Sequence, residues 1–107
     1  MSAAVVKVER DGKVAVLVSP GFGAGWTTWN AEHREIMCFD ADIVAAVEAR
    51  DFSEAARIAE SKCPSAYTGG ARDLVVYWVR KGEAFEITEY DGNESLTVIG
   101  EQTYMVA

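Results

Sequence analysis

Val5-Val6-Lys7-Val8-Glu9-Arg10-Asp11-Gly12-Lys13-Val14-Ala15-Val16-Leu17-Val18 is the stretch on which the fold turns. Asp11-Gly12 between two apolar-rich runs predicts a type I′ hairpin, because both central residues of that turn must take φ > 0. The second run is almost wholly apolar, which places it inside a sheet covered on at least one face. Its end delivers Ser19-Pro20-Gly21-Phe22-Gly23-Ala24-Gly25-Trp26-Thr27-Thr28-Trp29-Asn30 to the rim of the sheet, where Pro20 prevents simple continuation of the ladder.

Working outward, Ala31 to Met37 reads as a short helical turn carrying Glu32, His33 and Glu35. Asp40 is the expected N-cap of a helix ending near Arg50, with Ile43, Val44 and Val47 on one stripe. Ser53 is the expected cap of a second helix running to Lys62, whose face is built from Ala55, Ile58 and Ala59 and whose exit is marked by Pro64 and Ser65. Tyr67-Thr68-Gly69-Gly70-Ala71-Arg72-Asp73 is a second glycine-containing loop. It feeds Leu74 to Val79, apolar on both alternating faces and therefore expected as a central strand. In Ala84 to Tyr90, Phe85 and Ile87 are expected to face in while Glu86 and Thr88 face out. Asp91-Gly92-Asn93-Glu94 is the next turn, followed by a strand Ser95 to Ile99 and a terminal strand Gln102 to Val106. The expected fold class is α+β: one domain, 1-107, with a mostly antiparallel sheet of five or six strands, in the order ββααβββ with or without the terminal strand, and two helices packed on one face.

Composition bounds function. At 107 residues and half apolar, the chain makes a single core. Net charge is −7, from 17 acidic and 10 basic residues, and the bases are scattered, which argues against a nucleic-acid surface. No stretch approaches a membrane span and the start has no signal-peptide pattern, so the expected location is the cytoplasm. Cys38 and Cys63 lack metal-ligand or redox spacing and read as free thiols in or near the core.

Chemistry concentrates in three polar segments. In the first, Gly21, Phe22, Gly23, Ala24, Gly25, Trp26, Thr27, Thr28 and Trp29 combine glycines that open backbone N–H groups to a ligand with two flat indoles. The loop lacks the Lys of a phosphate-binding P-loop and the Gly-x-Gly-x-x-Gly spacing of a dinucleotide site. The second segment offers Arg72 as a planar anion partner, and the third offers Asp91 and Glu94 as acceptors. If the loops share a rim, they make a binding site; the competing reading has Trp26 and Trp29 in the core and the other segments as ordinary turns. His33 is the single histidine, so neither a His-paired metal site nor a Ser-His-Asp triad can be assembled except around it. No catalytic residue, metal ligand or cofactor is assigned.

Taken together, Gly21 to Trp29, Gly69-Gly70-Ala71-Arg72-Asp73-Leu74 and Glu89-Tyr90-Asp91-Gly92-Asn93-Glu94-Ser95 resemble a family of small, uncharacterised tailed-phage and prophage proteins. The resemblance covers almost the whole chain, with Phe22 where the family has tyrosine and Thr27 where it has serine. It carries over no activity. By analogy with other accessory phage proteins, it implies binding that blocks or sequesters a host component, including nucleotide signals of antiviral immunity. The expected function is therefore non-catalytic sequestration of a small nucleotide-like ligand by an oligomer. The alternatives are inhibition of a host protein through an acidic surface and, third, a small enzyme acting on a nucleotide-like substrate. In the ligand reading the anionic part sits on the N–H groups of Gly23 to Trp26, with Arg72 beside it.

Overall fold

A computed structural model describes residues 5–23, 25–100 and 105–106. Its elements are β1 (Glu9–Arg10), β2 (Lys13–Val18), α1 (Arg34–Phe39), α2 (Ala41–Glu48), α3 (Phe52–Lys62), β3 (Val75–Arg80), β4 (Ala84–Tyr90), β5 (Asn93–Gly100) and β6 (Met105–Val106), with single 3₁₀ turns at Ala31–His33 and Ala71–Asp73. The fold is α+β with antiparallel strand pairing throughout the described residues. The strands form two three-stranded sheets, β1-β2-β3 and β5-β4-β6, in place of the single sheet expected from the sequence. Of the expected terminal strand, 102–104 lie outside the described residues and Met105–Val106 pairs with β4.

The hairpin forms at Asp11-Gly12, whose φ values of 52° and 76° are those a two-residue type I′ loop demands. Its first strand is shorter than expected, two residues, while Lys7 makes an isolated bridge to Asp40. Val14 to Val18 are all buried, because β2 is the middle strand of the first sheet and both of its faces are covered. Ala15 and Leu17 pack with Trp26, Met37 and the apolar stripes of α2 and α3. Val14, Val16 and Val18 pack on the opposite side with Phe39, Val79 and Phe85, and Ile87 and Leu96 of the second sheet close over them. The sheets and helices thus stack as three layers, with β1-β2-β3 in the middle.

Among the described residues three helices flank this core, one more than expected. The Ala31 to Met37 turn resolves into a 3₁₀ turn followed by α1. Asp40 caps α2, accepting the Ile43 N–H at 3.2 Å, and also accepts Lys62 Nζ from the end of α3 at 2.8 and 3.0 Å. The α3 cap is Asp51, which accepts the Glu54 N–H at 3.1 Å, and not Ser53. Both residue types cap well, and the tight connection, with Arg50 at φ 60° and the Asp51 N–H on Ala46 O, starts the helix two residues early. The run Leu74 to Val79 is also corrected: β3 pairs only with β2 among the described residues and is an edge strand.

Candidate functional site

The loop after β2, the 67–73 loop and the β4–β5 turn meet at one end of the molecule. Asp91 and Gly92 sit at φ 51° and 85°, a second two-residue loop with both φ positive, which makes β4 and β5 a tight hairpin with Glu89 directly opposite Glu94. Side chains alternate along a strand, so Phe85, Ile87 and Glu89 of β4 share a face with Glu94 and Leu96 of β5. That face is apolar where it covers the first sheet and acidic where it reaches the glycine loop.

Glu94 organises this end. It is buried, and its carboxylate accepts four hydrogen bonds: Ser19 N–H at 3.0 Å on Oε1, and Trp26 N–H at 2.7 Å, Thr28 N–H at 2.9 Å and Thr28 Oγ1–H at 2.6 Å on Oε2. Its own N–H donates to Ser19 O at 2.9 Å, and the Gly23 N–H donates to Asp91 O at 2.7 Å. The glycine loop is therefore an anion cradle, and the anion in it belongs to the chain. A buried carboxylate is tolerated only when its lone pairs are filled, and here backbone donors fill them. The donors at Gly23 and Trp26 expected to receive a ligand's anionic part are engaged internally, and Glu94, expected as a ligand acceptor, serves the loop.

Asn30 fixes the second loop to the first. Its Nδ2 donates to Trp26 O at 2.6 Å and Tyr67 O at 2.9 Å, while its Oδ1 accepts the Tyr67 N–H at 2.7 Å. Ser19 Oγ donates to Gly70 O at 2.9 Å. Gly21 lies so close to the Asp73 side chain that a Cβ there would sit 2.1 Å from Oδ2.

The two tryptophans take different places. Trp26 is a core residue, fully buried, with its indole N–H donating to Met37 O at 2.7 Å, which removes it as a stacking platform. Trp29 is 43% exposed and packs against Tyr67, itself 50% exposed, with ring centroids 5.2 Å apart and planes tilted by 40°. Each ring lies across a glycine: a Cβ on Gly25 would be 2.6 Å from Trp29 Cδ1, and one on Gly69 would be 2.6 Å from the Tyr67 hydroxyl. Glu89 Oε2 accepts the Gly92 N–H at 2.7 Å and lies 3.4 Å from Trp29 Nε1. Phe22 and Tyr90 are exposed on the adjoining loop and strand. Gly23 takes φ 96° in open space, and Ala24 lies outside the described residues. Arg72 and the Asp91 side chain are exposed on their turns. Thr27 is buried beside Cys38, its hydroxyl without an oxygen or nitrogen partner among the described residues. Burial, then the charges of Glu35 and Glu94, push the Cys38 thiol up and keep it protonated.

The sequence marked Trp29 but not its partner Tyr67, nor Asn30 and Ser19 as the fasteners; the available signal was a tyrosine two residues before a Gly-Gly pair. His33 lies at the surface, 3.1 Å from Ser65 Oγ. Elsewhere, a hollow of about 550 Å³ between α2 and α3 is lined by alanines and by charged groups that already pair, Arg57 with Glu54 and Lys62 with Asp42. Among the described residues, no three His, Cys, Asp or Glu side chains are grouped to hold a metal ion, and no helix is long and apolar enough to cross a membrane. No family model, curated protein or solved structure matches the chain.

Proposed function

We propose that the protein is a non-catalytic binding protein that engages a protein partner through the Trp29–Tyr67 pair. The observation that carries this is the pair itself: two half-exposed aromatic rings on different loops, held in place by partly buried hydrogen bonds of Glu94 and Asn30. Aromatic side chains are the commonest binding hot spots, and fixing them before contact lowers the ordering cost of association. Glu60, hydrogen-bonded to Thr68, and Glu89, beside Trp29, give the surroundings negative charge, which favours a partner with a basic surface. The resemblance to phage accessory proteins points to a bacterial host component as that partner.

The test is capture from bacterial lysate by the wild-type chain and by Trp29→Ala and Tyr67→Ala. One stoichiometric partner is expected, with association slowing as salt rises and affinity falling about 30-fold or more in either variant. Equal capture by wild type and both variants, or no specific partner at any salt, would overturn the proposal. A nucleotide-like ligand is the second reading, favoured by the open indole face of Trp29, on which a base would stack. Its phosphate would have to find Arg72, since Glu94 fills the loop. A nucleotide panel that raises the melting temperature, with the ligand recovered unchanged and the shift lost in Trp29→Ala, would select it.

A further inference from the structure

We propose that two copies of this chain pair through the outer edge of β3, antiparallel, with a two-fold axis passing between the two Tyr77 residues. This proposal is independent of the binding surface above.

The open backbone groups follow from the hairpin. Arg10 and Lys13 close the two-residue loop, so the backbone groups of Lys13, Ala15 and Leu17 face β1, as the Ala15 N–H bond to Val8 O at 2.9 Å shows. Those of Val14, Val16 and Val18 then face β3, where their partners are Val79, Tyr77 and Val75. The N–H and C=O groups of Val76, Trp78 and Arg80 are left pointing away from the sheet. Natural edges are blunted by proline, inward-pointing charge, a bulge or a covering segment. Among the described residues none of these interrupts Val75 to Val79, and Val75 and Tyr77 are 38% and 45% exposed. The side chains of Val75 to Val79 are themselves apolar or aromatic on both faces, and the Arg10 guanidinium, paired with Glu48, lies over Trp78 on the face turned to the helices.

A second copy of the chain fits this edge by register. Directly opposite residues share a face, and a two-fold axis normal to the sheet preserves faces, so the axis must pass through a residue and its own copy. With the axis at Tyr77, Val75 meets the partner's Val79, and Val76 exchanges both backbone bonds with the partner's Trp78. Beyond the strand ends, Lys81, whose Nζ lies 3.3 Å from Glu9 Oε1 of its own chain, comes to the partner's Asp73, and the reverse. Moving the axis to Trp78 brings Glu83 to the partner's Asp73, like against like, and loses the attraction. The Tyr77 register is therefore favoured by both apolar and charged positions, and joins two three-stranded sheets into one of six. The glycine loop and the 67–73 loop leave one end of the β2–β3 pair, so the two-fold axis sets the two Trp29–Tyr67 pairs at opposite ends of the joined sheet.

Sedimentation of the full chain at concentrations on the order of 100 μM is expected to show a dimer. Tyr77→Lys sets two like charges face to face and is expected to give a folded monomer. Val76→Pro removes an outward donor and trims a half-buried side chain, leaves the ladder to β2 intact, and is expected to do the same. Mild oxidation should cross-link Tyr77→Cys into a covalent dimer and leave Val75→Cys monomeric; Cys38 and Cys63 are buried and give no background. A monomeric wild type, a dimer that survives both Tyr77→Lys and Val76→Pro, or cross-linking at Val75→Cys in place of Tyr77→Cys would overturn the proposal.

Discussion

Replacing Glu94 with glutamine keeps the shape of the side chain and removes one acceptor, which makes it the sharpest probe of how this end of the molecule is held. The amide oxygen would take the Oε2 position, where three donors converge, and the NH₂ would then face the Ser19 N–H, donor against donor. Leaving that buried N–H unpaired costs about 1–3 kcal/mol, and turning three charge-assisted bonds into neutral ones costs roughly 1 kcal/mol each. Against this, the variant no longer buries a charge, which returns a few kcal/mol. The balance is a loss of about 2 kcal/mol, a large part of the ~5–15 kcal/mol that holds a domain of this size.

Urea unfolding should read this as a midpoint lower by roughly 1–2 M at unchanged slope. Amide exchange should speed up at Trp26 and Thr28 before it does in β2, because the loop opens first. Thr28→Val, which deletes only the hydroxyl donor, should lose about 1 kcal/mol, and combining it with Glu94→Gln should cost less than the sum, since both act on Oε2. A Glu94→Gln unfolding free energy within about 0.5 kcal/mol of wild type would refute the reasoning. It would mean that water, not the carboxylate, satisfies the loop.

Trp26→Ala should cost about 3–5 kcal/mol and Trp29→Ala under about 1 kcal/mol, because the first empties a core position and the second trims a half-exposed ring; chemical denaturation of both distinguishes them. Lys62 has its pKa raised, chiefly by its hydrogen bond to Asp40. Its folded-state pKa thus exceeds the unfolded value of 10.5, so its contribution is complete below that pH and is lost as pH rises through the folded value. After discounting for solvent screening, Lys62→Met should cost about 1 kcal/mol at neutral pH, and its stability curve should converge on wild type in strong alkali. Arg50 holds φ 60° at the end of α2, where a side chain is strained, so Arg50→Gly should raise stability by roughly 0.5–1 kcal/mol in thermal or urea unfolding.

Local chemistry made part of this structure legible. Asp11-Gly12 and Asp91-Gly92 each announce a turn because positive φ at two successive residues leaves few candidates, and Asp40 announces a helix because its carboxylate reaches a free N–H three residues on. Val75 to Val79 misled because periodicity reports which faces are covered and says nothing about whether the strand's edge is paired. An apolar strand between a helical layer and a second sheet reads the same at the middle of a sheet as at its margin.

The loop after β2 shows the same division between chemistry and address. Glycines that free backbone donors, and an acidic residue in a distant turn that supplies acceptors, are each readable alone, and each suggests a ligand. What no local pattern shows is that the fold brings Glu94 to Trp26 and Ser19, 68 and 75 residues away, so that donor and acceptor satisfy one another. Under the proposed function, binding chemistry passes from the backbone to the side chains the closed loop presents. With the N–H groups of Ser19, Gly23, Trp26 and Thr28 engaged and Trp26 locked in the core, the loop offers outward the rings of Phe22 and Trp29, and Trp29 is set against Tyr67 by a glycine under each ring. A site of that kind recognises apolar and cationic surface more readily than phosphate. In the proposed site Glu94 would act as a positioning residue, whose removal should weaken partner capture only as far as it lets Trp29 move.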